Sequence, residues 1–309
     1  MADGVRATTL DQLARANVSV HQLSDFVSMW ATQRASFAWF LGAGISASAG
    51  VPTATAVRDR LLCDRYAVEH QLVRQALDES DPAVLERVQQ YYDGQNGMPP
   101  LGSDNDYSAA FELVIPDKAT RKRYLEQLFE GTQPGFGHRI LGGLLLAGHC
   151  DLVITTNFDP LIEQGFVDAL RRGTDAGQQV QRELDVAGLE SSVRAQVAFQ
   201  SRRWPLAVKL HGDFRERSLM NTEPELREQD SELRRFVIDV SRTFGIVVSG
   251  YSGRDASVMD MFRATAAIAD AWPHSFWWIV RSADSVPDSV RDLFSWTAAR
   301  PCLSTWKRT

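Results

Sequence analysis

Residues 36–44 have the sequence SFAWFLGAG, in which a run of apolar residues ends in a glycine turn. Four further short runs share this pattern: DLVITTN (151–157), LAVKLHG (206–212), GIVVSG (245–250) and SFWWIV (275–280). Short apolar, β-prone runs bounded by turn signals are typical of strands buried on both faces of a parallel sheet. The five runs therefore predict parallel strands.

Segments with helical periodicity separate these runs. The segment DPLIEQGFVDALRR begins at Asp159, a suitable N-cap, and continues with Pro160 at the first helical position. Helices are predicted in the same way after Asp230 and Asp255. Alternating strands and helices predict an α/β fold with a Rossmann-like, doubly wound parallel sheet.

The connection between the first two strands is much longer than one strand-to-helix connection requires. It contains helical segments and a loop at residues 91–108, rich in Gly, Pro, Asn and Asp. We interpret residues 55–146 as an inserted helical lobe, and residues 1–54 and 147–309 as the Rossmann-like domain. A flanking helix is expected before about Val27, and a helix and an edge strand within residues 174–203.

Composition excludes several classes of protein. The chain has 309 residues, 44% of them hydrophobic, which is typical of a globular protein, and its net charge of −6 gives no support to nucleic-acid binding. Cys63, Cys150 and Cys302 form no CxxC pair, so neither a disulfide framework nor a structural zinc site is expected. The uncharged segment 35–57 is interrupted by Gly, Pro and Ser, so it does not indicate a membrane span, and the N-terminus does not resemble a signal peptide. We expect a cytoplasmic protein that does not associate with membranes.

Four of the predicted strands end in small or polar residues. In open α/β sheets, ligands bind beyond the carboxyl ends of the strands, so these residues are candidates for one common site. They are Gly42, Ala43, Gly44 and Ser46 after the first strand, Asn157 and Asp159 after the second, Lys209, His211 and Asp213 around the third, and Ser249, Gly250, Tyr251, Ser252 and Asp255 after the fourth.

Each candidate also has a purely structural interpretation. The glycine turn LGAGISASAG allows close approach of a pyrophosphate, but it is not a full GxGxxG motif and also suits a plain strand-to-helix turn. The amide of Asn157 can hold a ribose hydroxyl or a water, or form a turn. His211 suits a general base near neutral pH, or a buried structural histidine. Asp159 and Asp255 are candidate ligand contacts and also candidate helix N-caps.

Taken in order, the segments GAGISASAG, TTNFD, KLHGD and SGYSGRD resemble the sirtuin superfamily. The resemblance extends from about residue 36 to residue 260. It implies a Rossmann-like NAD-binding domain with a smaller inserted lobe, and cleavage of the bond between nicotinamide and ribose in NAD.

The resemblance also implies roles for individual residues. Gly42, Ala43, Gly44 and Ser46 would hold the phosphates of NAD. Asn157 and Asp159 would lie near the nicotinamide ribose, and His211 would be the catalytic histidine. Ser249, Gly250 and Ser252 would approach the phosphates and the adenosine ribose, with Asp255 beside them.

The chain departs from the protein-deacylating sirtuins in two respects. It lacks their two CxxC pairs, and it has GVPTAT where they usually have GIPDFR, so that Thr53, Ala54 and Thr55 stand where Asp, Phe and Arg would fall. These features are similar to the zinc-free, sirtuin-like NAD hydrolases of bacterial antiviral systems. The resemblance therefore implies an NAD glycohydrolase effector with NAD as substrate and no metal, acting as a homo-oligomer or within a larger sensor assembly.

Two alternatives remain open. The first is an NAD-consuming transferase, either a zinc-free protein deacylase or an ADP-ribosyltransferase. The second is a non-catalytic module that binds NAD or ADP-ribose and reports it to a partner. The pairing of Asn157 with His211 favours catalysis, because binding alone does not require a base.

Overall fold

A computed structural model describes residues 18–93, 98–100, 103, 105–175, 182–188, 191–212, 231–296 and 301–305. Asp213 lies outside the described residues, and so does most of the charged segment that follows it. The sequence predicts a loop and a solvated helix for this segment, and the described part resumes with the helix that begins at Ser231.

The described residues form one sheet of eight parallel strands. The strands are β1 (Ser19–Gln22), β2 (Phe37–Leu41), β3 (Leu152–Thr155), β4 (Asp185–Ala187), β5 (Leu206–Lys209), β6 (Gly245–Ser249), β7 (Phe276–Val280) and β8 (Pro301–Thr305). Their order across the sheet is β1-β8-β7-β6-β2-β3-β5-β4. The chain proceeds from β2 to β3 on one side and later to β6 on the other, which is the switch point of a doubly wound sheet. The predicted fold class is confirmed.

Eleven helices of the described residues surround or extend this sheet. They are α1 (Leu23–Thr32), α2 (Ala54–Glu69), α3 (Pro82–Tyr92), α4 (Asp106–Val114), α5 (Lys118–Phe129), α6 (Phe136–Leu146), α7 (Leu161–Asp175), α8 (Ser192–Gln200), α9 (Ser231–Ser241), α10 (Ala256–Ala266) and α11 (Asp288–Trp296). No helix in this part of the chain is both long and apolar enough to cross a membrane.

Alternating residues of β2 anchor the two faces of the sheet. Phe40 is fully buried against α8 to α11, in a cluster that includes Phe236 of α9 and Phe262 of α10. Leu41 faces the opposite side, where it packs with Leu145 of α6 and other residues of α6 and α7. Successive side chains of a strand point to opposite faces, so one run of apolar residues packs against both helical layers.

The helices between β2 and β3 divide by their packing. Helices α2 to α5 share a separate core, which includes Leu61, Tyr92, Phe111 and Leu125. Helix α6 instead packs on the sheet and lies so close to α7 that a Cβ at Gly142 would be 2.1 Å from the carbonyl oxygen of Gly165. The exact division of the chain into a Rossmann-like domain and a lobe at residues 55–146 stays a proposal, and the packing supports a lobe made of α2 to α5.

The structure contains most of the predicted elements and differs from the prediction before Val27. All five predicted strands are present, and the segment 174–203 contains the edge strand β4 and helix α8. The flanking helix before Val27 is partly wrong, because residues 19–22 form β1, and residues 1–17 lie outside the described part.

Candidate functional site

The carboxyl ends of the four central strands finish in one row. Leu41 of β2 is in register with Thr155 of β3 and Ser249 of β6, and Thr155 is in register with Lys209 of β5. The loops after these residues therefore meet at one edge of the sheet, as the sequence predicts.

A cavity of about 400 Å³ lies between this edge and the helical lobe. Its sheet side is lined by Ala43, Gly44, Thr156, Asn157, Phe158, Asp159, His211, Gly250, Tyr251, Ser252, Arg254 and Asp255. Its lobe side is lined by residues 51–55, Val57, Asp106, Tyr107, Ser108, Leu125, Leu128 and Phe129. A second cavity of about 560 Å³ lies between residues 48–50 and 130–139 and contains none of the candidate residues.

Asn157 is held in one orientation by its neighbours. Its side chain is almost fully buried, and Nδ2 donates to the carbonyl oxygen of Gly42 (3.2 Å) and to Oγ of Ser46 (3.1 Å). A carbonyl oxygen can only accept, so the atom facing Gly42 must be the amide nitrogen. Oδ1 is therefore left as an acceptor, and it has no partner among the described residues. A buried acceptor without a partner costs about 1–3 kcal/mol, which makes this atom a candidate ligand contact.

His138 is a site residue that the sequence analysis missed. Its Nδ1 accepts from the backbone N–H of Gly135 (3.3 Å), so its proton is on Nε2, which lies 3.3 Å from Oγ of Ser46. Burial lowers the pKa of His138, although the negative charge of Asp159 acts to raise it. His138, Ser46 and Asn157 thus form a buried chain of hydrogen bonds. The only signal in the sequence was a histidine three residues after Gly135 at a helix start.

His211 and Asp255 form a close pair across the sheet edge. Nε2 of His211 lies 2.8 Å from Oδ2 of Asp255, and both side chains are nearly buried. The other oxygen of Asp255 caps α10 by accepting from the backbone N–H groups of Ser257 and Val258. Burial acts to raise the pKa of Asp255, but the charge and hydrogen bonding of His211 and the capping bonds lower it to about 2. Asp255 is therefore both the predicted N-cap and a partner that fixes the imidazole.

A buried lysine, Lys209, holds the loop that carries Asn157 and Asp159 in place. Nζ of Lys209 donates to the backbone carbonyl of Asp159 (2.8 Å) and pairs with Glu163 (2.8 Å). Oδ1 of Asp159 accepts from the backbone N–H of Leu161, which confirms the predicted cap of α7. A fully buried lysine requires such partners, so Lys209 is explained by its support of this loop.

The glycine turn packs against the loop after β6. The N–H groups of Gly42 and Gly44 donate to the carbonyl oxygens of Ser249 (3.0 Å) and Gly250 (2.8 Å). A Cβ at Gly42 would lie 2.6 Å from the carbonyl oxygen of Gly250, so only glycine allows this approach. The N–H groups of Ile45 and Ser46 are also bonded, to Gly42 and Ala43.

The structure brings most of the candidates to the cavity. Nine line it, namely Ala43, Gly44, Asn157, Asp159, His211, Gly250, Tyr251, Ser252 and Asp255. Gly42, Ser46 and Ser249 lie behind the lining, where Gly42 and Ser46 hold Asn157. The ligand contacts of all these residues stay predictions. Among the described residues, no group of three or more His, Cys, Asp or Glu side chains is placed to hold a metal ion.

Comparison with known proteins gives a match to one family model over part of the chain. Residues 151–299 match the family model described as SIR2-like domain, which confirms the resemblance to the sirtuin superfamily. No curated protein matches the chain. A solved structure from work on the structural basis for the mechanism and regulation of Sir2 enzymes aligns with 15% identity and a TM-score of 0.40, covering 88% of this chain and 94% of that one.

Proposed function

We propose that this chain, which carries a SIR2-like domain, is an NAD glycohydrolase that cleaves NAD to nicotinamide and ADP-ribose. We further propose that it acts as an effector of bacterial antiviral defence by depleting cytoplasmic NAD. The observation that carries the proposal is the unpartnered Oδ1 of buried Asn157 in the same cavity as the His211–Asp255 pair.

The reaction breaks the bond between C1′ of the nicotinamide ribose and the pyridinium nitrogen. The electron pair of that bond stays with nicotinamide, which leaves as a neutral molecule. The ribose gains oxocarbenium character, so positive charge develops near C1′. A fixed acceptor such as Oδ1 of Asn157 stabilises that charge, because its dipole is oriented before the reaction begins.

The second half of the reaction adds water. The oxygen of a water molecule attacks C1′, and one of its protons passes to the imidazole of His211. Asp255 holds that imidazole in place and stabilises it when it carries the proton. The products are ADP-ribose, nicotinamide and one proton.

The lobe contributes the apolar side of the site. Val57, Leu125, Leu128 and Phe129 line the cavity opposite Asn157 and His211. Apolar walls exclude bulk water, which strengthens the interactions of fixed dipoles with the developing charge.

Incubation of the chain with NAD, followed by chromatography of the products, tests the proposed activity. We expect equimolar nicotinamide and ADP-ribose. ADP-ribose attached to an acceptor protein or to an acyl group would overturn hydrolysis in favour of transfer. Unchanged NAD that nevertheless binds at high protein concentration would overturn it in favour of a sensing module.

The expected homo-oligomer and the role in defence each have a test. Because a toxic hydrolase must be held inactive in uninfected cells, we expect turnover per chain to rise with protein concentration, and high turnover by a dilute monomer would contradict this. In bacteria, induced expression should lower cellular NAD, whereas expression of the His211→Ala variant should not.

A further inference from the structure

Arg254 is the arginine among the residues that line the cavity. The side chain is half-buried, and its Nη1 donates to Oγ1 of Thr55 (3.2 Å), which also lines the cavity. Within the described part of the chain no carboxylate pairs with it. An arginine carries five N–H donors, so a single neutral partner leaves most of them available.

Arg58 and Arg182 differ from Arg254 in their partners. Arg58, which is buried close to the cavity, pairs with both Asp59 and Asp106. Arg182 pairs with Asp151 (3.2 Å). Both guanidinium groups are neutralised by carboxylates of the protein. Arg254, whose partner among the described residues is the hydroxyl of Thr55, keeps donors that a ligand can use.

The carboxylates that line the cavity are already engaged. Asp255 pairs with His211, Asp106 pairs with Arg58, and Asp159 caps α7. None of the three pairs with Arg254, so its guanidinium group remains available to a ligand.

The start of α2 adds positive potential beside Arg254. Thr53 caps this 16-residue helix by accepting from the N–H of Ala56 (3.3 Å), while residues 53–55 line the cavity. The N–H groups of Ala54 and Thr55, in the first turn, have no partner within the helix. Helix N-termini of this kind favour anions. Asn157, 6% exposed and with Oδ1 unpartnered, independently indicates that a ligand enters the same cavity.

The glycine turn, by contrast, has few amides to offer. The N–H groups of Gly42, Gly44, Ile45 and Ser46 are all bonded within the protein. Of residues 42–46, only Ala43 lacks an acceptor among the described residues. An anionic ligand must therefore find its main charge partner elsewhere in the cavity.

We infer that Arg254, together with the N-terminus of α2, binds the phosphate groups of a nucleoside diphosphate. This inference rests on the proposed function for the identity of the ligand, since NAD and ADP-ribose both carry a pyrophosphate. The planar guanidinium matches two phosphate oxygens at once, which a lysine cannot do.

Calorimetric titration with ADP-ribose tests the inference. Loss of a charge-assisted hydrogen-bonding group predicts that Arg254→Ala raises the Kd for ADP-ribose about 10- to 100-fold. Arg254→Lys, which keeps the charge and loses the planar fork, should fall between this variant and the wild type. Arg263→Ala is the matched control, because Arg263 is an exposed arginine of α10 that pairs with Asp260 (2.7 Å), and it should bind as the wild type does. Thermal unfolding establishes that each variant is folded.

A second arm uses a substrate without a pyrophosphate. Arg254→Ala should lower kcat/KM for NAD by the same factor and leave the cleavage of nicotinamide riboside unchanged. Unchanged ADP-ribose affinity in Arg254→Ala, equal losses in Arg254→Ala and Arg263→Ala, or a wild type that binds no ADP-ribose would each overturn the inference. If the wild type binds ADP-ribose through Arg254 but does not cleave NAD, the proposed function fails and the phosphate site stands.

Discussion

The two walls of the cavity differ in chemistry. The sheet wall presents Asn157, His211 and Asp255, each held by hydrogen bonds or an ion pair. Much of the lobe wall is apolar, with Leu125 and Leu128 as examples, and belongs to a separate core. The difference indicates that the sheet loops supply the reacting groups, while the lobe shapes the cavity and keeps water out.

The largest expected effect is on the sheet wall. His211→Ala or Asn157→Ala should lower the rate of NAD cleavage by about 10²–10⁴-fold, because each removes a group that acts on the transition state. Steady-state kinetics should show the loss in kcat rather than in KM. Leu128→Ala on the lobe wall is the control and should reduce kcat far less. Equal losses of kcat in the variants of both walls would contradict the different roles proposed for the two walls.

The next largest effect is expected on the stability of the lobe core. Phe111 is fully buried in α4, so Phe111→Ala should lower the free energy of unfolding of the lobe by about 3–5 kcal/mol. All eight tryptophans lie outside residues 57–125, so tryptophan fluorescence reports the sheet, whereas far-UV circular dichroism also reports the lobe helices. If the lobe folds separately, Phe111→Ala should shift part of the dichroism transition and leave the fluorescence transition in place.

The control for this variant is Phe136→Ala, because Phe136 is 80% exposed and its loss should change neither transition. Coincident shifts of both signals in Phe111→Ala would mean that lobe and sheet unfold as one unit, against the proposed division of the chain.

The smallest expected effect is on the free energy of unfolding at acid pH, to which Asp255 of the sheet wall contributes. Since the pKa of Asp255 is lowered to about 2, its ionised form stabilises the fold above about pH 4, and this contribution is lost as the pH falls toward 2. Asp255→Asn keeps a residue that can cap α10 and removes the charge. The drop in the free energy of unfolding between pH 5 and pH 2 should therefore be smaller in this variant, by on the order of 2 kcal/mol.

Urea denaturation at several pH values measures this difference. Asp81→Asn is the matched control, because Asp81 caps α3 at the surface by accepting from the N–H of Ala83 (2.9 Å). It should leave the pH dependence of the wild type unchanged. The same change in both variants would show that the contribution of Asp255 does not depend on His211.

The sequence predicted the centre of the sheet better than its edges. The runs at β2, β3, β5, β6 and β7 are continuously apolar because helices cover both of their faces. The sequence of β1 is SVHQ, with one strongly apolar residue in four, and that of β8 is PCLST, with Leu303 as its one large apolar residue. Neither carries the pattern of a buried strand, although each pairs with the other.

The sequence predicted the groups at strand ends and missed those that come from elsewhere. The carboxyl-edge rule brings Asn157, His211 and Asp255 together because parallel strands end in register. His138 reaches the site from α6, and no local pattern marks a histidine that contacts a serine 92 residues away. Arg254 was passed over beside Asp255, since its distinguishing feature is the absence of a carboxylate partner among the described residues, which only the structure reveals.

The central claim is that Asn157 and His211 act on the same ribose in one cavity. A crystal structure of the His211→Ala variant soaked with NAD tests it most directly. The account predicts that the nicotinamide ribose lies within hydrogen-bonding distance of Oδ1 of Asn157 and next to the space left by the imidazole. A dinucleotide bound away from Asn157, for example in the second cavity beside Phe136, would contradict the account.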